Sequence, residues 1–449
     1  TEFRRLLEEA TGSAIVGQPE VVVLAVPPGG YWLPQRHALG GLSWILFLTE
    51  DWWEASDGGA LEIYESVSTV PSSMAAALFN SMVVMAGTTT AGLAEVVTQR
   101  GPVLALHGAY SASPSLLRMD RPLSPVPLPA SVPGSAAGHA ALAVFGDADR
   151  AALRGLVRAR YLRKRRMSAL QDRFATKSHI VLRRFLSAKV AAKVTAECSA
   201  RDEADGVIPG ALLDHGVGAS GDWKLIGPAC HRRHLALGSA GANDSALGLV
   251  VAGLLGEPFA QYLEALTGLT RQQGEQGEEH GSIKAEARRF RPGRDFIRRH
   301  STGTPRLESV LCLLGSSTAA DGRNCGGALC YAEEAEEEEE DSPEEQAKGP
   351  VGQRCSGRED AAESASGRGP SGRCLGPLAR GADDLLPPLL RAEASGNVLH
   401  IVLRDAHTAS FLEPICADAP ASRWDVLSSF AVCPLSDSSG EEDEEEDSA

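Results

Sequence analysis

The stretch "GGYWLPQRHALGGLSWILFL", residues 29–48, combines a predicted strand with polar residues just before it. Trp44 to Leu48 are five apolar residues in a row, a pattern typical of a strand buried on both faces. Gln35, Arg36 and His37 come shortly before it. A lone histidine beside a buried strand can be one ligand of a metal site or have no ligand role, and these residues alone leave both open.

Short apolar runs separated by Gly and Pro continue on both sides of this stretch. Those in the first part of the chain are "EVVVLAV" (20–26), "LSWILFLT" (42–49), "ALEIYESV" (60–67), "SMVVMAG" (81–87) and "PVLALHGAY" (102–110). Runs of this length with turn residues between them predict strands. A second region of this kind extends from about 223 to 430, and a short amphipathic helix is predicted at 2–11.

Between the two β-rich regions the pattern changes to helical. Helices are predicted at 148–178 and 179–198, and the first carries the basic cluster Arg163–Arg166. A solvated helix face is the plainest interpretation of this cluster, and a nuclear-import patch or an RNA contact remain alternatives. Two β-rich halves joined in this way predict a mainly β protein with flanking helices (α+β), containing two double-stranded β-helix (jelly-roll) domains.

The predicted domain boundaries follow these changes in composition. They are a first jelly roll at 1–112, a linker at 113–147, a basic helical connector at 148–200, a second jelly roll at 201–332 and 391–430, an acidic and then Gly/Ser-rich insertion at 333–390, and an acidic disordered tail at 431–449. The first jelly roll is expected to be truncated at its N-terminus, because the sequence starts abruptly in a helical pattern.

The net charge of −16 comes from two acidic runs. Residues 333–345 hold 10 acidic side chains, and Asp437 with 441–447 holds 8. Removing these 18 from the 59 acidic residues leaves 41, against 43 Lys and Arg, so the rest of the chain is near neutral. Runs of like charge repel themselves and are usually solvated or disordered.

Several protein classes do not fit the sequence. Nine cysteines without a C-x-x-C pair argue against a disulfide framework or a zinc site, and favour reduced thiols in the nucleus, the cytoplasm or both. No apolar stretch approaches 18 residues, so we expect no membrane span. The pattern contains no secretory signal peptide. The oligomeric state and phosphorylation of the Ser-containing tail are left open.

Ordered phrases along the chain resemble one family, the two-domain prolyl 3- or 4-hydroxylases that modify a ribosomal protein of the decoding centre. The phrases include "GGYWL" (29–33), "ILFLTEDWWEASDGGALEIYE" (45–65), "LAEVVTQRGPVLALHGAY" (93–110), "WKLIGPACHRRH" (223–234) and "LRDAHTASFLEPICADAPASRWD" (403–425). The resemblance implies a catalytic jelly roll, followed by a second one without iron. It also implies dioxygenase activity with Fe(II), 2-oxoglutarate and ascorbate (vitamin C).

The site residues of this family can be transferred one by one. The family has H-x-D at the end of the strand that begins G-x-Y, which places Gln35 at the first histidine and His37 at the carboxylate. The distal histidine, a few residues before E-V, corresponds to Ala91. The arginine that holds 2-oxoglutarate corresponds to Val103. The chain has no histidine at all between residues 38 and 106.

These substitutions predict a degenerate iron site and a non-catalytic binding protein, a pseudoenzyme. Tyr31 and His107 are possible further site residues, and Asp51 or Asp57 could supply a carboxylate only after rearrangement. The alternatives are an active peptidyl-prolyl dioxygenase with a rebuilt site, or a mis-predicted gene product. The expected partner is a ribosomal protein or a translation factor, since acidic runs suit a basic partner. Direct nucleic-acid binding is not expected.

Overall fold

The fold was analysed in a computed structural model. It describes residues 2–12, 14–36, 41–65, 67–86, 89–110, 145–237, 245–272, 283–301, 303–315, 324–333 and 388–432. The linker at 111–144, most of the insertion and most of the tail lie outside these ranges, and so does His37. The expected strands before residue 1 stay a prediction.

Eight strands between residues 20 and 110 form the first jelly roll. They are β1 (Glu20–Val26), β2 (Trp32–Arg36), β3 (Leu42–Phe47), β4 (Leu61–Tyr64), β5 (Ser73–Ala75), β6 (Met82–Ala86), β7 (Thr90–Leu93) and β8 (Val103–Tyr110). They form two four-stranded antiparallel sheets, ordered β1-β8-β3-β6 and β2-β7-β4-β5. This is the strand order of a jelly roll, and the predicted fold class is confirmed.

The apolar strand β3 is buried on both of its faces. Ile45 and Phe47 point into the space between the two sheets and are fully buried. Leu42 and Trp44 point the other way, into a smaller core shared with Leu7 of helix α1 (Glu2–Thr11). Burial of each such side chain contributes about 1.5–3 kcal/mol. The continuous apolar pattern is therefore explained by packing on both sides.

The second jelly roll repeats the strand order of the first. Its strands are β12 (Lys284–Phe290), β13 (Phe296–His300), β14 (Arg306–Leu314), β15 (Leu329–Glu333), β16 (Leu390–Ala392), β17 (Val398–Arg404), β18 (Thr408–Leu412) and β19 (Arg423–Ala431). One layer runs β12-β19-β14-β17 and the other β13-β18-β15-β16. Strands can thus be compared between the two jelly rolls, with β2 equivalent to β13, β7 to β18 and β8 to β19.

Three further strands and five helices complete the second domain. The first is β9 (His179–Arg183), which pairs with β17. The second is β11 (Arg232–Leu237), which pairs with both β12 and β13 and so joins the two layers, and the third is β10 (Trp223–Ile226), which pairs with β11. The helices are α2 (Asp147–Leu153), α3 (Lys164–Lys177), α4 (Ala188–Ala204), α5 (Ala246–Leu255) and α6 (Glu257–Thr267). The helices share one apolar core with the outer face of the layer β12-β19-β14-β17.

Two local helix predictions were wrong. The helix expected at 148–178 is interrupted, because α2 ends at Leu153 and α3 begins only at Lys164. Residues 179–183 were expected to begin a helix, but they form β9. Ile180 and Leu182 face the helical core, and the backbone pairs with β17 along its length. The adjacent β-branched residues Ile180 and Val181 favour a strand once such a partner is present.

Within the residues described, no single helix is long and apolar enough to cross a membrane. Helices α5 and α6 satisfy the length and composition criteria only when they are joined across a 58° bend.

Candidate functional site

The two strands that carry the family's histidine positions are neighbours. In the β2–β7 ladder Gln35 lies directly opposite Ala91, after a bulge that shifts the register between Trp32 and Gln35. Residues directly opposite in an antiparallel pair point to the same face of the sheet. Ala91 is fully buried in the core between the two sheets, so Gln35 is on the inner face as well. The fold therefore brings these two positions together.

The family's arginine position is filled by a small apolar side chain. Val103 begins β8 opposite Val26 and is fully buried. Gly59 packs so closely against it that a β-carbon on Gly59 would lie 2.4 Å from Val103 Cγ2. A guanidinium group at this position would displace that packing.

The two additional candidates have separate environments. His107 is on β8, four residues beyond Val103 and roughly 13 Å from it along the strand. Its ring centroid lies 5.5 Å from that of Trp32, and burial lowers the pKa of His107, so its neutral form is favoured. Tyr31 is partly buried and immediately precedes β2.

The residues at these positions do not fit an iron(II) and 2-oxoglutarate centre. Such a centre needs two histidines and a carboxylate, whereas Gln35, Ala91 and Val103 offer an amide and two hydrocarbon groups. In the described part of the chain, no three His, Cys, Asp or Glu side chains are grouped to hold a metal ion. His37 could add at most a second neutral ligand.

Asp57 is already engaged elsewhere. Its carboxylate is buried, accepts a hydrogen bond from Glu54 N–H (2.8 Å) and pairs with Arg100 (2.6 Å). Burial alone would raise the pKa of Asp57, but the Glu54 N–H and the Arg100 guanidinium hold it below its usual value. Moving Asp57 to a metal would break both contacts. Asp51 lies in an exposed turn.

The second jelly roll has its own pair at the same place. His300 on β13 lies opposite Ser410 on β18, after a register shift of the same kind. By strand order and register, His300 is equivalent to Gln35 and Ser410 to Ala91. Burial, followed by a nearby arginine, lowers the pKa of His300. This pair therefore contains one histidine, and no metal-binding group of three His, Cys, Asp or Glu forms around it in the described residues.

In the second jelly roll, an arginine occupies the position equivalent to Val103. Arg423 begins β19 as Val103 begins β8, and it is fully buried. Its guanidinium donates to Gly327 O (2.7 Å) and to Asp425 Oδ2 (3.0 Å). Asp425 also accepts from Arg288. Arg423 and Asp425 thus act as an internal ion pair.

A buried polar cluster lies between the two jelly rolls, and it was not expected from the sequence. Glu62 on β4 accepts hydrogen bonds from Arg294 (2.7 Å) and from the Tyr64 hydroxyl, which itself accepts from Arg233. His215 Nε2 lies 2.9 Å from the same carboxylate. Burial, and then the nearby guanidinium groups, lower the pKa of His215 to about 2, so it is neutral near pH 7. The sequence signal that could have indicated this cluster is Glu62, a charged residue within the run "ALEIYESV" (60–67).

Two more contacts join the second jelly roll to the first, one on β2 and one just after β7. Arg298 donates to Pro34 O (2.9 Å), and Ala417 N–H donates to the buried Glu95 carboxylate (2.8 Å). The "EV" of the family phrase, Glu95-Val96, therefore helps to attach the second jelly roll to the first. The first contact holds β2, which carries Gln35, and the second holds the segment just after β7, which carries Ala91.

Solved structures with some similarity include three dioxygenases. A Pseudomonas putida prolyl-4-hydroxylase is 14% identical with a TM-score of 0.31, covering 59% of this chain and 98% of that chain. A Trichoplax adhaerens prolyl hydroxylase in complex with a hypoxia inducible factor peptide is 10% identical, with a TM-score of 0.32 and coverage of 60% and 89%. The Fe(II)/α-ketoglutarate-dependent dioxygenase TqaL is 10% identical, with a TM-score of 0.28 and coverage of 65% and 93%. No conclusion rests on scores this low.

Sequence comparison gives a clearer result. No curated protein matches the chain. A family model described as "Oxoglutarate and iron-dependent oxygenase degradation C-term" matches residues 148–438, well over half of the chain. This match covers the helices α2–α6 and the whole second jelly roll. The chain therefore belongs to the oxoglutarate and iron-dependent oxygenase degradation C-terminal family.

Proposed function

We propose that this chain is a non-catalytic relative of the ribosomal-protein prolyl hydroxylases, which keeps the double jelly roll as a binding protein. The observation that carries the proposal is the pairing of Gln35 with Ala91, where the family has two histidines. The polar cluster around Glu62 supports it further, because a fixed arrangement of two domains is what a binding scaffold requires.

The test is turnover of 2-oxoglutarate. The full chain would be incubated with Fe(II), ascorbate, oxygen and 2-oxoglutarate, and succinate measured against a competent dioxygenase as positive control. We expect no succinate above the protein-free blank, with or without a prolyl peptide. Protein-dependent succinate would contradict the proposal and favour an active dioxygenase with a rebuilt site.

The partner we propose is a ribosomal protein or a translation factor in the nucleus or cytoplasm. The 18 acidic side chains in 333–345 and 437–447 would attract a basic surface. A variant with these residues changed to Gln or Asn should bind purified ribosomal proteins more weakly at low salt, and high salt should remove most of the difference. Equal affinity of both proteins at low salt would contradict the role of the acidic runs.

A further inference from the structure

A cavity of about 810 Å³ opens on the second jelly roll, away from the former ligand positions. Its floor is one face of β9 and β17, where Val181 lies opposite His400 and Arg183 opposite Val398. One wall is β16, and the other is the start of α3 with the short turn before it. The volume lies within the range of about 300–1,000 Å³ that is usual for binding pockets.

The wall formed by α3 is strongly basic. Arg163, Arg166 and Arg173 are three and seven residues apart, which places their side chains in one stripe of the helix. Arg160 and Arg183 line the same cavity. All five are exposed, and no carboxylate among the described residues forms an ion pair with any of them. The cavity therefore has an excess of positive charge that the described structure does not neutralise.

A buried histidine provides an independent indication of a ligand. His400 lines the cavity and is only 6% exposed, yet neither ring nitrogen has a hydrogen-bond partner among the described residues. Burial, and then Arg423 and Arg183, lower the pKa of His400 to about 4. The ring is neutral near pH 7 and can offer one donor and one acceptor. Buried polar groups normally have partners, so a ligand group is a direct explanation.

The wall formed by β16 is a sheet edge. Four consecutive residues, Leu390 to Glu393, line the cavity, so the strand meets it edge-on. Among the described residues, β16 is the last strand of its layer and pairs only with β15. An end strand presents backbone N–H and C=O groups that an extended peptide can pair with.

We propose that this cavity binds an extended acidic peptide segment of a partner protein. The peptide backbone adds to the free edge of β16, and its carboxylates pair with the arginine stripe, whose planar forks match carboxylates well. A nucleic acid fits less well, because the two aromatic rings among the lining residues, Tyr161 and His400, are only 3% and 6% exposed and offer no stacking surface. The arginine stripe selects a partner of opposite charge.

The test uses a fluorescein-labelled peptide, EEDEEEDS, and fluorescence anisotropy with the full chain. Because the chain's own acidic runs could compete, a second protein carries Gln or Asn at the acidic residues of 334–345 and 437–447. In each protein, Arg163→Gln with Arg166→Gln is compared with the matched control Lys164→Gln with Arg165→Gln. The control removes the same charge from neighbouring exposed positions outside the cavity.

We expect saturable binding in at least the neutralised protein, weakened roughly tenfold by the cavity pair and less than about twofold by the control. Absence of saturable binding in both proteins would overturn the proposal. Equal weakening by the two variant pairs would also overturn it, since the attraction would then be unspecific. Displacement of the peptide by an oligouridylate of equal charge at lower concentration would assign the cavity to nucleic acid instead.

Discussion

Gln35 on β2 lies directly opposite Ala91 on β7, at the place where two strands of a jelly-roll dioxygenase would each present a metal ligand. The amide is a weak neutral ligand for iron, and the methyl group is none. The neighbouring backbone is fixed by the bond from Arg298 to Pro34 O. The paired side chains of Gln35 and Ala91 do not suit iron chemistry.

Restoring the three ligand positions should restore metal binding. The variant Gln35→His, His37→Asp, Ala91→His introduces two histidines and a carboxylate at the family's positions, two of which the fold already pairs. We expect it to bind Co(II), and the visible absorption of Co(II) reports this directly.

The matched control keeps Ala91 and carries only Gln35→His and His37→Asp. It lacks the ligand on β7, so its Co(II) affinity should be roughly 100-fold lower or undetectable. If the triple variant binds no better than this control while remaining folded, the transferred β7 position is wrong.

The contact between the jelly rolls should depend strongly on Glu62. In Glu62→Gln the guanidinium group of Arg294 loses its buried carboxylate partner, so we expect the free energy of unfolding to fall by about 3 kcal/mol. Urea denaturation followed by tryptophan fluorescence measures this. Glu65→Gln, at an exposed position just after the same strand, should change it by less than about 0.5 kcal/mol. Similar effects of both variants would contradict the buried role of Glu62.

Asp57 should make stability depend on pH in the acid range. Its pKa in the folded state lies below its usual 3.8, so its contribution is fully present above that value and is lost as the pH falls through the lower folded value. Asp57→Asn should therefore lower the melting temperature most at about pH 6–7. The melting temperatures of the variant and the unchanged protein should become equal as the pH falls below about 4. A difference in melting temperature that stays constant across this pH range would show that the charge of Asp57 does not stabilise the fold.

Many strands could be predicted from the sequence, because each contains a short apolar run between turn residues. β1 and β3 coincide closely with the predicted runs 20–26 and 42–49. β7 was not predicted, because its residues "TAGL" have a weak strand pattern and are held by pairing with β2 and β4. Residues 179–183 were assigned to the wrong element for a related reason, since the pairing with distant β17 decides their conformation.

The candidate sites, too, could be predicted only where a local sequence pattern marks them. The positions of Gln35 and Ala91 could be transferred from short family phrases, because these phrases mark strand ends. The Glu62 cluster and the cavity around His400 join residues more than 150 positions apart or from several elements, so no local pattern reveals them. The basic cluster Arg163–Arg166 was visible, but only the helix geometry separates Arg163 and Arg166, which line the cavity, from the two residues between them.

The most direct test of the central claim is a Mn(II) titration of the full chain, followed by electron paramagnetic resonance, with and without 2-oxoglutarate. Mn(II) replaces Fe(II) because it is stable in air. The acidic runs can hold Mn(II) weakly, so the protein with these runs neutralised is titrated in parallel. We predict that this protein leaves the signal of free Mn(II) unchanged at equal concentrations, whether or not 2-oxoglutarate is present. Stoichiometric loss of that signal, strengthened by 2-oxoglutarate, would contradict a non-catalytic role.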